Sequence, residues 1–137
     1  KAQEDARRLA WSGSKPASWL LVSGKPLDVT RESNGDVQLQ LTLRRDSAVT
    51  APVWLGVGCG DGCSGRVDLQ KTLAAIPQGE WKVVGVPLKC FVAAGADVAK
   101  LVQVPVLESS AALQLSVSRI ALGALNEAEA TVACPAK

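Results

Sequence analysis

The sequence predicts an all-β domain, built as an antiparallel β-sandwich of two sheets with one or two short helices. Apolar and polar side chains alternate along several short segments, which is the period of a half-buried strand. Turns that contain Gly, Pro or Asn separate about eight such segments, as in sandwich folds. The chain has 137 residues, of which 47% are apolar and 20% charged. This size and composition suit one folded unit, so we assign 1–137 to a single sandwich domain.

The strands are predicted from the alternation. The clearest spans 36–44, where every second residue is Val or Leu. Another covers 53–57 and sets Trp54 on the side opposite its three apolar residues. A third begins at Leu113, and its apolar parity slips near 118–119, which predicts a β-bulge. Weaker strands are expected at 7–11, 18–23, 26–29, 82–88 and 101–107.

Prolines and caps set further limits. Pro87 and Pro105 cannot donate a ladder hydrogen bond, so we expect their strands at sheet edges or ending near the proline. Helix is scarce. Asp68 can cap a short helix over 69–76, and one further turn is expected at 91–95.

Composition argues against a catalytic domain. The chain has no His, which removes the Ser-His-Asp and Cys-His nucleophile systems and every His-containing zinc site. Fifteen basic and thirteen acidic residues leave a net charge of +2. This charge is too small to predict binding to nucleic acid or to an anionic membrane. No segment is long and apolar enough to span a membrane.

The four cysteines are Cys59, Cys63, Cys90 and Cys134. Their even number suits two disulfides, a small ring closed by the first pair and a bridge between the second pair that pins the tail 126–137. A four-thiolate metal site is the alternative, but the spacing lacks the paired C-x-x-C units of structural zinc sites. Disulfides indicate an oxidising compartment. The chain begins at Lys1 without a signal-like apolar region, so we expect a mature form or a piece of a larger protein.

Several segments together resemble a known family. The stretch 81–91 (WKVVGVPLKCF) resembles a strand common in jelly-roll carbohydrate-binding modules. More specific is the ordered succession 3–8 (QEDARR), 34–36 (NGD), 58–63 (GCGDGC), 67–69 (VDL) and 90–97 (CFVAAGAD). In this order the segments resemble the C-terminal galactose-binding-like domain of bacterial family-3 glycoside hydrolases, the β-glucosidases and exo-1,3/1,4-β-glucanases.

The resemblance implies a jelly-roll, galactose-binding-like accessory domain of a periplasmic or secreted bacterial enzyme that acts on β-glucosides. Its partners would be the catalytic domains of the parent glycosidase and a β-glucan or oligosaccharide. The family's catalytic carboxylates belong to other domains, so no catalytic residue carries over. The thirteen carboxylates here form no pair with a motif behind it, and we expect no enzyme activity from this chain alone.

Sugar binding requires an aromatic face for the pyranose ring and polar groups for its hydroxyls. Strand parity makes Trp54 the candidate platform. We expect it to share a sheet face with polar side chains drawn from Gln38, Gln40, Arg44 and Gln114. Two alternatives remain open: Trp54 is buried, or it packs against a partner domain. A purely structural domain that stabilises the enzyme without touching sugar is the competing hypothesis.

Calcium is the one cofactor that the resemblance raises, because jelly-roll modules often hold a structural Ca²⁺ near the N-terminal strand. Glu4 and Asp36 are the candidate ligands, with further oxygens at Asp5, Glu32 and Asn34. The last strand, however, reads VSRI over 117–120, where many modules carry an acidic residue. The sequence therefore predicts no required cofactor.

Overall fold

The structure is a computed structural model that describes residues 6–124 and 127–134. These residues form nine strands and three short helices in two packed sheets. The strands are β1 (Arg7–Trp11), β2 (Ala17–Leu27), β3 (Gln38–Arg45), β4 (Val53–Gly58), β5 (Ser64–Asp68), β6 (Trp81–Pro87), β7 (Leu101–Ser109), β8 (Leu113–Gly123) and β9 (Ala130–Thr131). The helices are α1 (Thr30–Asn34), α2 (Gln70–Ala75) and α3 (Leu88–Ala93).

The two sheets confirm the predicted sandwich. One sheet has five strands in the order β1-β8-β3-β6-β9, and the other has four in the order β2-β7-β4-β5. All pairs are antiparallel except the short β6–β9 pair. The strand order places neighbours in space that are far apart in sequence, as expected of a sandwich with long connections between sheets.

The alternating apolar residues build the core between the sheets. Leu39, Leu41 and Leu43 of β3 face it from one sheet, and Leu55 of β4 faces it from the other. All four side chains are essentially inaccessible to water, and each such burial contributes about 1.5–3 kcal/mol. On α3, Phe91 is also fully buried, so this helix adds to the core.

The predictions made from the alternating pattern and from the two prolines are partly confirmed. The β3–β8 register shifts so that Ser118 has no partner, which confirms the predicted bulge. Strand β6 ends at Pro87, as predicted. The edge prediction for Pro105 is wrong, because β7 lies between β2 and β4. Both neighbouring ladders skip this position, since the pairing passes from Val106 to Gln103 on each side, and the missing N–H is therefore not required.

Several predicted strands and helices differ from those in the structure. The two segments predicted at 18–23 and 26–29 are one continuous edge strand, β2. Strands β5 and β9 and helix α1 were not predicted. The Oδ1 atom of Asp68 accepts hydrogen bonds from the backbone N–H groups of Gln70 and Val53, at 2.9 and 3.1 Å. The carboxylate therefore orders the chain just before α2 and ties the helix to the start of β4. The N-cap position itself is Leu69, one residue later than predicted, and no side chain among the described residues caps the helix.

The two predicted disulfides are confirmed: Cys59 bonds to Cys63, and Cys90 bonds to Cys134. The second bridge ties the tail to α3, and β9 adds to the edge of β6 just before it. Of the tail 126–137, the positions 126 and 135–137 lie outside the described residues. Among the described helices, none has the length and apolar character needed to cross a membrane.

Candidate functional site

The outer face of the four-stranded sheet carries Trp54, on the side opposite the core. The antiparallel registers set this residue between Glu108 of β7 and Asp68 of β5. One step further along the strands, Gly56 lies between Val106 and Arg66. Residues directly opposite in neighbouring strands point to the same face, so these side chains surround the small gap above Gly56. We call the set Trp54, Gly56, Arg66, Gln103, Val106 and Glu108 the Trp54 site.

Gly56 is the floor of a shallow depression of about 220 Å³. A Cβ at this position would lie 2.8 Å from the carbonyl oxygen of Gly65 and 3.1 Å from the Cβ of Arg66. Only glycine lets the β4 and β5 backbones approach this closely, because a Cβ here would overlap the neighbouring strand. The volume is below the ~300–1,000 Å³ of a typical small-molecule pocket, so the depression suits one ring rather than a large ligand.

Arg66 stacks on the indole of Trp54. The guanidinium carbon lies 4.0 Å from the ring centroid, well within the ~6 Å range of a cation–π contact. The same guanidinium reaches over β4 to Glu108, where Nη1 and Oε1 are 3.5 Å apart. The indole is half-buried and Arg66 is exposed, so the alternative in which Trp54 is fully buried is wrong.

Gln103 closes one end of the depression. It is paired with Gly58, and a Cβ on that glycine would overlap Oε1 of the glutamine. The side chain therefore fills the space that Gly58 leaves, at the edge of the depression. An amide at this point can both donate and accept hydrogen bonds toward a bound ligand.

The Cys59–Cys63 ring holds β5 against β4. Beside the disulfide, the backbone N–H of Cys59 donates to the carbonyl of Cys63 at 2.9 Å. The bridge closes the hairpin directly after β4, and the register that follows brings Arg66 beside Trp54. Sequence reasoning missed Arg66 because β5 was not recognised, although the C-x-x-x-C ring and the Arg-Val-Asp that follows it are compatible with a hairpin.

The structure does not bring the predicted polar partners to Trp54. Gln38, Gln40, Arg44 and Gln114 all lie on strands of the five-stranded sheet. The alternation along β3 does place Gln38 and Gln40 on the side away from the core, because Leu39 and Leu41 between and beside them face the core. Alternation defines the side of a strand but not the sheet to which the strand belongs, and so the expected grouping is wrong.

Gln38 bonds to the tail, and Gln40 bonds to Ala124, which precedes the tail. The Nε2 of Gln40 donates to Oε1 of Gln38 at 3.1 Å and to the carbonyl of Ala124 at 2.9 Å, while Nε2 of Gln38 donates to Thr131 at 3.3 Å. Both glutamines are buried, with exposed fractions of 0% and 8%. Their amides are therefore engaged in the fold rather than presented to solvent.

Arg44 and Gln114 belong to a second cluster, around Asp46. Arg44 donates to the Asp46 carboxylate at 2.6 Å and stacks on Trp81 at 5.1 Å, while Gln114 accepts from Arg8 at 2.9 Å. Burial raises the pKa of Asp46, but hydrogen bonds from Arg44 and Ser116 and the nearby arginine charges outweigh it. The net pKa lies below its ordinary value.

Of the two principal calcium candidates, Glu4 and Asp36, only Asp36 lies among the described residues. Asp36 has an exposed side chain, and its Oδ1 lies 2.7 Å from Nζ of Lys89. Among the residues that the structure describes, no group of three or more acidic, Cys or His side chains is placed to hold a metal ion. Glu4 and Asp5 lie outside the described residues.

The two packed sheets form a galactose-binding-like β-sandwich. Residues 1–122 match the sequence family Exop_C, described as galactose-binding domain-like. This match covers most of the chain, and the chain therefore belongs to that family. Comparison with curated proteins finds no match.

Solved structures share the fold. An exo-1,3/1,4-beta-glucanase from a Pseudoalteromonas species matches with a TM-score of 0.74 and 20% identity over 98% of this chain, which corresponds to 16% of the enzyme. The isolated extra C-terminal domain of that enzyme matches with a TM-score of 0.69 and 20% identity, covering 98% of this chain and 71% of the domain. A family 30 carbohydrate-binding module of a Clostridium thermocellum cellulosomal cellulase matches with a TM-score of 0.67 and 12% identity, covering 87% of this chain and 74% of the module.

The chain thus has the fold of carbohydrate-binding modules and of an extra C-terminal domain, rather than the fold of a catalytic domain. It spans about 16% of the length of the exo-glucanase that it matches.

Proposed function

We propose that the chain is a non-catalytic accessory domain of an exported family-3 β-glucan glucohydrolase or β-glucosidase, and that it binds β-glucan weakly at the Trp54 site. The observation that carries this proposal is the half-buried Trp54 beside an open, glycine-floored depression with polar groups around it. The Exop_C family membership and the likeness to carbohydrate-binding modules support it.

The chemistry of the site suits a neutral sugar. The indole supplies an apolar surface for the C–H face of a pyranose, while the Gln103 amide offers donors and Glu108 offers an acceptor for hydroxyls. The charges of Arg66 and Glu108 oppose each other, so the site has little net attraction for an anionic polysaccharide. A depression that holds a single ring predicts weak binding, because few contacts offset the entropy lost on association.

The two disulfides support an oxidising compartment, periplasmic or extracellular. We propose that the domain packs on the catalytic domains of its parent enzyme, to which it would be joined in one polypeptide. Exposed apolar side chains on the edge strand β2 support packing against another domain. They are Leu21, Val22 and Leu27, with exposed fractions of 41, 70 and 44%.

The same apolar strand favours a second candidate function, a purely structural domain that stabilises its parent without contacting sugar. The two functions differ at Trp54, because only sugar binding requires this side chain to remain accessible. A test on the isolated chain separates them.

The first prediction concerns Trp54→Ala. Isothermal titration and affinity electrophoresis with laminarin, barley β-glucan and cello-oligosaccharides should detect binding by the native chain. Loss of the indole should weaken that binding by about tenfold or more, since covering roughly 60–100 Å² of apolar surface contributes about 1.5–2.5 kcal/mol.

Trp81→Ala is the matched control, because Trp81 is the arginine-stacked tryptophan of the opposite sheet. This variant should retain the native affinity once folding is verified by circular dichroism. The absence of detectable binding at millimolar sugar would leave the structural function, and a Trp54→Ala variant that binds normally would move the site elsewhere.

A further inference from the structure

The Arg66 side chain lies across the part of the Trp54 site where a sugar would stack. The residue starts on β5 and extends over β4 toward Glu108 on β7, and it lines the depression above Gly56. Its guanidinium is in contact with the indole, with 4.0 Å from its carbon to the ring centroid. At this separation no other group fits between the two planes, because van der Waals contact already requires about 3.5–4.0 Å between carbon atoms.

The hold on this arginine is weak. Its side chain is 52% exposed, and its one ion pair among the described residues, to Glu108, is long at 3.5 Å. An exposed cation–π contact and a surface ion pair each contribute little stability. Arg44 provides the contrast on the other sheet: it also stacks on a tryptophan, but at 5.1 Å, and it makes a 2.6 Å hydrogen bond to the largely buried Asp46.

We infer that Arg66 is a displaceable cover on the ligand-stacking face of Trp54, which a sugar ring must move aside in order to bind. This inference rests on the proposed function of the site. Arg66 would then set the affinity of the site. The free energy needed to break the cation–π contact and the Arg66–Glu108 pair reduces the favourable free energy of sugar binding. The glycine floor gives the ring its place once the arginine has moved.

If Arg66 covers the indole, the affinity for sugar should depend on the salt concentration. Added NaCl screens the Arg66–Glu108 pair and so favours the open position, whereas stacking of a neutral sugar is itself nearly independent of ionic strength. Affinity of the native chain for a neutral oligosaccharide should therefore rise with salt. A site in which Arg66 directly donates hydrogen bonds to the sugar lacks this rise.

The experiment is a titration of the native chain, Arg66→Met and Arg7→Met with laminari- and cello-oligosaccharides at low and high NaCl. Arg7 is an exposed arginine on β1 of the other sheet, so its variant controls for net charge. Arg66→Met should bind about two- to fivefold more tightly than the native chain at low salt. It should also lose the salt dependence, while Arg7→Met should match the native chain.

The outcomes separate the two proposals. If the native chain binds and Arg66→Met binds equally or more weakly, the cover is wrong while the sugar site stands. If Arg66→Met binds and the native chain does not, the cover is confirmed in its strongest form. If neither binds at millimolar sugar, both the sugar site and the cover are wrong.

Discussion

At the scale of single residues, polar side chains on the outer faces of the two sheets have different roles. On the five-stranded sheet they bond to one another and to nearby chain segments: Gln40 donates to Gln38 and to Ala124, and Gln38 donates to Thr131 of the tail. On the four-stranded sheet, Gln103 and Arg66 surround an open depression. Residue type alone does not distinguish these roles, because a glutamine beside a glycine occurs in both places: Gln40 lies over Gly123 and Gln103 over Gly58.

We expect Asp46 to make the free energy of unfolding depend on pH in the acid range. Its pKa is lowered in the folded state, so its contribution to stability is fully present above the unfolded pKa, near 4, and is lost as the pH falls through the lower folded value. Asp46→Asn should lower the free energy of unfolding by roughly 1–3 kcal/mol at pH 7, because the carboxylate accepts hydrogen bonds from Arg44 and Ser116.

Urea unfolding at several pH values measures this effect. The difference between the native chain and Asp46→Asn should shrink below about pH 4. Asp61→Asn, in the exposed tip of the Cys59–Cys63 ring, makes the same change of charge and should alter stability little. An equal loss of stability at pH 7 and at pH 3 would contradict this account of Asp46.

At the scale of elements, the β4–β5 hairpin builds the site. The disulfide ring sets its turn, and close approach of the two backbones at Gly56 sets its spacing. The register then brings Arg66 over the indole of Trp54. A change that separates these two strands should affect stability and sugar binding together.

Gly56→Ala is the direct test of the hairpin. The new Cβ would lie 2.8 Å from a backbone oxygen that cannot easily move, so we expect a loss of roughly 1–3 kcal/mol in the free energy of unfolding, together with weaker sugar binding. Gly24→Ala on β2 is the matched control, because a Cβ there has no heavy atom within 4 Å. Thermal unfolding of both variants measures the difference. Equal stability of the two would show that the backbone approach at Gly56 is unimportant.

The sequence predicts the elements that carry strong alternation. Strands β3, β4 and β8, the bulge at Ser118 and both disulfides follow from local pattern and cysteine count. Strand β5 does not, because Ser-Gly-Arg-Val-Asp contains a single strand-forming apolar residue and depends on its hairpin partner.

The candidate site was predicted only at Trp54. Arg66 lies on the missed strand, and Glu108 lies one residue beyond the end of the strand predicted at 101–107. The grouping of Trp54 with Gln38 and Gln40 failed because sheet membership depends on long-range pairing. A periodic pattern within one segment contains no information about that pairing.

At the scale of the whole molecule, the two sheets present unlike surfaces. The described part of the tail lies along the five-stranded sheet, where β9 pairs with β6 and where Gln38 and the Cys90–Cys134 bridge hold it. The four-stranded sheet keeps its outer face open beside Trp54. This difference is the reason that we propose ligand binding at the four-stranded sheet.

The most direct measurement is a ¹⁵N-labelled NMR titration with laminari- and cello-oligosaccharides. We expect shifts at the indole N–H of Trp54 and at the amides of Gly56, Arg66 and Gln103, with little change at Gln40 or Trp81 on the other sheet. Shifts confined to the five-stranded sheet, or none at millimolar sugar, would contradict the claim that the Trp54 face binds the ligand.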